Sequence, residues 1–528
     1  MNEGGAVGSS TPGRAPESGD VESAPAPETT SVGTLSGILR RGAAMAAAGL
    51  LIVQSVTFVQ TLVLARLLSP EIVGVFAAGT VMTTFLVVVT HGTLAQALVQ
   101  REHDVDNAAT TVFWVTLGTG ILMSLVMLAA SPLIGRIFNS PAVGTVAAAM
   151  SGSMLLIAIT SVPDALMQRR FQFKRRIIVD PAVGITFAAG SIVFAALGYG
   201  VWSLVIGSYA SMLVWIVASW WLSRWHPFGG RFSFRIWREM AVFSFPLLLD
   251  GAAARAQEVV ELTIIGRGLS EAALGNYRYG RRIALLPGMA IVQVCSYVLF
   301  PAFARISADS QRFKDAFLRA LSWIWRVAMP AGALMVAVGE PAVVVLLGEP
   351  WRGAGVAVAS MSGFGLGVAM NSVSAEAMKG AGRSSRMNWM TAAGLLTGVP
   401  LLLLLLPLGL AGVGLAVSGA AIVVGITGLG LARSVVKASG GEIARVMAPP
   451  VIASLAAFVV IAPLERYVVQ SDQRSIAVGL AAIALECVAF LIAYLLTLRL
   501  VAPSVFAEIR EAVRSVAGRV ARAVGRER

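Results

Sequence analysis

The sequence is poor in charge: 13% of its 528 residues are Asp, Glu, Lys or Arg, against 57% hydrophobic. A soluble domain needs more charge than that to cover its surface, so an ordinary soluble protein is excluded. Cysteine is reduced to two residues, Cys295 and Cys487, both inside apolar runs. That excludes a disulfide framework and leaves them as small packing residues. Histidine is almost as scarce: His91, His103 and His226 stand far apart without ligand spacing, so no metal site is expected. A P-loop, a dinucleotide fingerprint and a Ser/His/Asp set are all missing. No catalytic residue and no cofactor is therefore assigned, and the chain is not read as an enzyme.

Long apolar runs dominate what is present. Each is about 20 residues, enough to cross the roughly 30 Å hydrocarbon core of a bilayer. The short alternating segments of a β-barrel do not occur. The expected fold class is an all-α polytopic membrane protein with about fourteen transmembrane helices, among them spans near 241–265 and 280–303. The net charge of +13 is read as a basic cytoplasmic face over the anionic lipids of the inner leaflet, rather than as a nucleic-acid surface. Placing both termini in the cytoplasm puts most of the 41 Lys and Arg residues on that side, led by "QRRFQFKRRI" (168–177) and the segment 224–238.

Composition also divides the chain. Residues 1–33 are rich in Pro, Gly, Ser and Glu and are expected to be a disordered cytoplasmic tail. No basic region runs directly into an apolar one there, so it is not read as a signal peptide. Residues 34–223 form an N-lobe of six helices, 224–239 a basic linker, 240–435 a C-lobe of six, and 436–499 two further helices. Residues 500–528 read as a basic amphipathic cytoplasmic helix, with Phe506, Ile509, Val513, Val516, Val520 and Val524 on one face.

The two lobes repeat one another. "ARLLSPEIVGVF" (65–76) matches "GRGLSEAALGNY" (266–277), and "MSGSMLLIAITSVPDALM" (150–167) matches "MSGFGLGVAMNSVSAEAM" (361–378). Six helices per repeat make the repeats parallel, an arrangement that encloses a central cavity opened alternately to each side. The charged stretch "LLLDGAAARAQEVVELTIIG" (247–266) is then the mate of the first helix. Asp250, Arg255, Glu258 and Glu261 span an arc of about 140° on that helix. They fall opposite Gly49, Gln54, Thr57 and Gln60. Intramembrane charges seldom face lipid, so both faces are expected to line a water-filled cavity. An ion-pair network around Arg255 and Glu258 is the plainer reading, and the two are compatible.

The C-lobe alone carries Arg278, Arg281 and Arg282, on one side of a helix in "YRYGRRIALLPG". Guanidinium forks match phosphate oxygens, so a cavity wall of this kind suits an anionic cargo such as a diphosphate. The same arginines could instead snorkel to the headgroups, and both readings stay open.

Seven stretches in chain order carry a family likeness: "LARLLSPEIVGVFAAGTV", "LAQALVQRE", "SVPDALMQRRFQFKR", "GYGVWSLV", "FSFPLLL", "IGRGLSEAALGNYRYGRRIALLPG" and "VLFPAFARI". With them the chain resembles the polysaccharide transporter family, the Wzx-type flippases of the multidrug/oligosaccharidyl-lipid/polysaccharide exporter superfamily. The resemblance implies a fourteen-helix, two-lobed exporter in a bacterial cytoplasmic membrane. Its cargo would be a polyprenyl-diphosphate-linked oligosaccharide, moved from inner to outer leaflet for lipopolysaccharide or exopolysaccharide assembly. Polysaccharide polymerases or glycosyltransferases are candidate partners. Arg66, Arg267, Tyr277 and Arg282 match the family pattern, Glu261 stands where Asp is usual, and Tyr279 and Arg281 are interchanged relative to it.

The expected substrate contacts are Arg255, Arg278, Arg281 and Arg282. Asp250, Glu258, Glu261, Gln54, Thr57 and Gln60 form the polar cavity wall, with Glu258 and Glu261 as candidates for a coupling proton or cation. Pro246 and Pro287 are candidate bends for a rocking motion. A peptidoglycan-precursor flippase and a drug exporter of the same superfamily are the rival transporters. A membrane glycosyltransferase or polymerase is the rival of another class, and the loops "SPEI", "FNSPA" and "GEPWRG" offer it no acidic constellation.

Overall fold

A computed structural model describes residues 54–88, 93–101, 103–169, 173–295 and 299–524. The tail at 1–33, Gly49 and His91 lie outside the described residues, as do the side chains of Pro246, Asp250 and Val513 and those from Val516 onward.

Among the described residues there is no β-strand; the chain is a succession of α-helices. The first half holds α1 (54–67), α2 (Pro70–Gly79), α3 (Val81–Val87), α4 (Thr93–Gln100), α5 (Val105–Ile137), α6 (Pro141–Met150), α7 (Ser153–Arg169), α8 (Phe173–Ala196) and α9 (Val201–Ser223). The second half holds α10 (Phe234–Gly268), α11 (Glu271–Val294), α12 (Phe300–Ile306), α13 (Ser310–Leu347), α14 (Arg352–Ser360), α15 (Ser362–Gly380), α16 (Met387–Leu405) and α17 (Gly409–Val436). After the repeat come α18 (Gly440–Leu464), α19 (Ile476–Val501) and α20 (Pro503–Val524).

Ten helical stretches are long and apolar enough to cross a membrane, and one of them, 384–436, holds two successive helices. α10 and α11 are not in that set although 35 and 24 residues long. Their charge keeps them out, which is what a helix facing a polar interior requires. α10 runs beyond its expected span at both ends, while α11 begins well before 280 and ends at Val294, short of the expected 303.

Local sequence sets the helix ends. Proline opens α2 and α6 at the first helical position, where its missing N–H costs nothing. Ser140, Ser233 and Ser270 accept hydrogen bonds from the N–H groups of Val143, Ile236 and Ala273, capping α6, α10 and α11. Ser439 and Glu442 form a reciprocal capping box at the start of α18. Pro132, Pro163 and Pro287 sit inside α5, α7 and α11, the kind of interior proline that neighbouring helices in a membrane bundle support.

Within the first half α5 packs on α6 and α7, and α8 on α9; within the second, α17 packs on α15 and α16, and α13 on α14. The halves meet where α2 runs along α11, while α10 lies against α3, α4 and α5. At that seam a Cβ on Gly74 would collide with the carbonyl oxygen of Glu271, and a Cβ on Gly275 with that of Pro70. Both pairs are related by the same 201-residue offset as the repeat. The matching glycines therefore have one physical reason: two helix backbones in direct contact.

The contacts around this seam are reciprocal too. The Trp351 indole donates to the Ala65 carbonyl at 2.7 Å. Arg66 donates to the carbonyls of Val345 at 2.8 Å and Leu346 at 3.1 Å. From the first half, Phe138 packs on Gly266. One end of the bundle, the end of the Ser69 and Ser270 turns, is thus closed across the two halves.

α18 and α19 pack on each other and on α13, and α20 folds back on α19. Val505 and Ile509 of α20 reach the apolar cluster of α13, α18 and α19. Arg326 of α13 pairs with Glu508 of α20 at 2.8 Å.

Candidate functional site

Ser270 ends the turn between α10 and α11, so the two charged helices run back antiparallel from the closed end. On α11, residues 277 and 281 share one face and 278 and 282 the next, as the 3.6-residue repeat dictates.

The first face is tied to α10. Tyr277, with no exposed surface, donates its hydroxyl to Glu261. Arg281 donates to Glu261 Oε1 at 2.8 Å and to the Tyr277 oxygen at 3.2 Å, its guanidinium 5.9 Å from that ring's centre. One turn earlier on α10, Arg255 Nη1 donates to Glu258 Oε2 at 2.7 Å. Glu258 and Glu261, read from sequence as coupling candidates, are thus each committed to an arginine. Arg281 is a braced cation rather than a free one.

The second face is different. Arg278 and Arg282 form no ion pair among the described residues, and both are exposed to open space. With Arg281 they line a pocket of about 350 Å³ together with Gln60, Thr61 and Phe76 of the first half. That volume lies within the 300–1,000 Å³ or so of small-ligand sites. Gln60 donates to Ser191 of α8 at 3.0 Å, which fixes its oxygen toward other partners. Tyr279, between the two arginines, stacks edge-on against Trp351 at 4.3 Å and so anchors α11 to the closed end.

Arg281 and Glu261 also border a second pocket of about 300 Å³, with Gln257 and Asn371. Arg281 therefore stands between two cavities, one shared by the halves and one inside the second half. The structure brings Gln60, Arg278, Arg281 and Arg282 together. It leaves Arg255 with Glu258 on the same helix, and Thr57 as the carbonyl acceptor for Thr61 at 2.7 Å. Gln54 is partly buried in the first turn described for α1. Asp250 lies on the described course of α10 without a described side chain.

Sequence reasoning missed Gln257, Asn371 and Ser191. Asn371 had a signal, a polar residue in the middle of the apolar repeat unit 361–378; the other two had none short of the helix rotations. It also missed Arg352, which pairs with Glu340 at 2.9 Å, Glu349 at 2.7 Å and Asp472 at 2.7 Å.

The fold has solved counterparts. The lipid II flippase MurJ in an inward closed conformation superposes with a TM-score of 0.68 at 15% identity, over 86% of this chain and 98% of that one. An inward-facing multidrug resistance MATE family transporter of the MOP superfamily gives 0.61 at 16% identity, over 72% of this chain and 94% of that one. At such identities the shared feature is the fold alone, a two-lobed bundle of helices.

Among sequences, the succinoglycan biosynthesis transport protein ExoT of Rhizobium meliloti is 27% identical over 56% of this chain and 59% of its own length. The lipopolysaccharide biosynthesis protein WzxC of Escherichia coli is 24% identical over 59% of this chain and 63% of its own. The teichuronic acid biosynthesis protein TuaB of Bacillus subtilis is 22% identical over 52% and 56%. The chain thus matches less than two thirds of the length of these relatives. A family model described as polysaccharide biosynthesis protein matches residues 63–355, a span that includes α2, α10, α11 and every arginine of the pocket. That span exceeds half of the sequence, and the chain belongs to the polysaccharide biosynthesis protein family.

Proposed function

We propose that the protein translocates a polyprenyl-diphosphate-linked oligosaccharide across the bacterial cytoplasmic membrane by alternating access, for assembly of a surface polysaccharide. The observation that carries this reading is the pair Arg278 and Arg282, unpaired within the described residues, in a pocket walled by both halves. Arginines left unpaired in a membrane-embedded pocket are costly unless an anion arrives to meet them. A diphosphate supplies two tetrahedral groups for two forked donors. The names of the relatives, all concerned with building surface glycans, agree with a sugar-bearing cargo.

In this reading Arg278 and Arg282 hold the headgroup while Glu261 and Tyr277 keep Arg281 oriented behind them. Both termini face the cytoplasm, so the closed end is the outer one and the cargo enters from within. Parting of α2 from α11 would expose the same pocket to the other side. Polymerases and glycosyltransferases would act before and after transport, and α20 would rest on anionic inner-leaflet lipid.

The test is transfer of a labelled polyprenyl-diphosphate oligosaccharide between leaflets of reconstituted liposomes. Wild type is expected to transfer it, and Arg282→Ala to lose transfer while remaining folded. No transfer of several such glycolipids by folded protein, with an imposed ion gradient, would sink the reading.

A further inference from the structure

α18 and α19 stand outside the repeat, and the transport reading gives them no task. Their shared interface is apolar, built from Ala453, Ala457, Ile461, Phe490, Tyr494 and Leu498. Two carboxyl groups are placed in it: Glu465 is 4% exposed and Glu486 3%. They lie in contact with each other. Glu465 is provided for, since the Ser471 N–H donates to Oε1 and the Ser471 hydroxyl to Oε2, both at 2.9 Å. Neither oxygen of Glu486 has a hydrogen-bond donor among the described residues.

Of the charged groups on the packed elements, those near the pair have other partners or are exposed, and Arg445 and Arg499 stand at the far ends of α18 and α19. On the turn after α18, Asp472 pairs with Arg352, which also holds Glu340 of α13 and Glu349. Arg474 donates to the carbonyls of Val469 and Val468, and Arg466 is exposed. Two turns along α19, Tyr494 donates to the Arg326 carbonyl, and the Arg326 guanidinium pairs with Glu508 of α20. Cys487 follows Glu486 directly and is partly buried. Among the described residues no cation pairs with Glu465 or Glu486.

Two carboxylates in contact, out of water and without a cation, cannot both be ionised. One proton satisfies both: Glu486 donates it, and Glu465, whose charge already has two donors, accepts. We propose that Glu465 and Glu486 form a proton-binding site whose occupancy tightens the closed end of the bundle. The route is continuous. Glu465 holds Ser471; the neighbouring Asp472 holds Arg352; Arg352 follows Trp351, whose indole holds Ala65 of the first half. Release of the proton to water leaves a second buried negative charge, which drives the carboxylates apart and loosens that chain of contacts. Nothing in this depends on which cargo the central pocket takes.

The test uses the full chain in phosphatidylethanolamine/phosphatidylglycerol liposomes, brought from neutral to alkaline pH, with two readouts. Infrared difference spectra are expected to show wild type losing a protonated-carboxyl band that is absent from Glu486→Gln and shifted in Glu465→Gln, where the Glu486 proton meets an amide instead of a carboxylate. Hydrogen exchange, corrected for its intrinsic pH dependence, is expected to rise at 66–76 and 348–354 in wild type. In Glu486→Gln, whose amide still donates to Glu465, it should stay flat. A band unchanged in both variants, or the same exchange response in wild type and Glu486→Gln, overturns the proposal. If Glu486→Gln fails to assemble, Glu465→Gln carries both readouts.

Discussion

Arg326 and Glu508 are 2.8 Å apart, one buried in the middle of α13 with 6% of its side chain exposed, the other half exposed on α20. The pair fastens a helix that follows the last apolar span to a helix of the second half. Trp323 lies against the same guanidinium, 4.8 Å from its carbon to the ring centre. Glu508→Ala would leave Arg326 buried without a counter-charge. The expected loss is about 2–3 kcal/mol, below the 3–5 of a fully buried pair because Glu508 is partly solvated. It should show as a lower thermal midpoint in detergent and faster hydrogen exchange along α20.

Arg281 and Arg282 are neighbours in sequence with different work. Arg281→Ala strips Glu261 and Tyr277 of their shared cation, so its main effect is expected on stability, about 2 kcal/mol. Arg282→Ala removes a cation that pairs with nothing in the described residues. It should leave the thermal midpoint unchanged and weaken binding of a diphosphate headgroup about 10–100-fold, the equivalent of one charged hydrogen-bonded contact. Measuring melting and headgroup affinity on both variants separates the two roles. Equal stability losses would contradict the assignment.

Gly74→Ala forces a methyl group into the Glu271 carbonyl, and Gly275→Ala one into that of Pro70. Each is expected to disfavour the closed end by about 1–3 kcal/mol, the cost of overpacking a tight contact. The double variant should cost less than the sum, because the first methyl already parts the helices. Hydrogen exchange at 66–76 reads the effect directly. Strict additivity would mean that the two glycines do not report on one seam.

Trp351→Phe keeps an aromatic ring for Tyr279 to stack on, but removes the five-membered ring that carries the N–H reaching Ala65. An expected loss of about 2–4 kcal/mol, the hydrogen bond plus the cavity left in a fully buried site, should appear as raised exchange at 348–354 and at the end of α1, with the pocket arginines unaffected.

Much of this architecture is legible in the order of amino acids alone, for identifiable reasons. Membrane helices announce themselves by apolar length, and the repeat by residues kept at one offset, of which Gly74 and Gly275 turn out to carry the packing. The arginines of α11 stand out because an apolar background makes any charge conspicuous. What the sequence conceals is pairing. Glu261 reads as a cavity residue until the rotation of α11 sets Tyr277 and Arg281 against it. Glu465 and Glu486 stand at the edge and in the middle of apolar spans, and nothing in the sequence joins them, since their contact depends on how α18 and α19 are aligned. Arg352 reads as a loop arginine because its three carboxylates come from three separate segments. Periodicity describes one helix at a time, and each of these relationships belongs to two.

The seam at Gly74 and Gly275 is made of main chain on both sides. Side-chain seals can yield by degrees, one rotamer swinging while its neighbours hold, and a pore behind such a seal can leak before it opens. Backbone pressed on backbone has no rotamers to spare. Either the two helices meet along the whole crossing or they part as rigid rods. If the protein alternates between two states as proposed, a closure of this kind would act as a latch, with two settings and little between them.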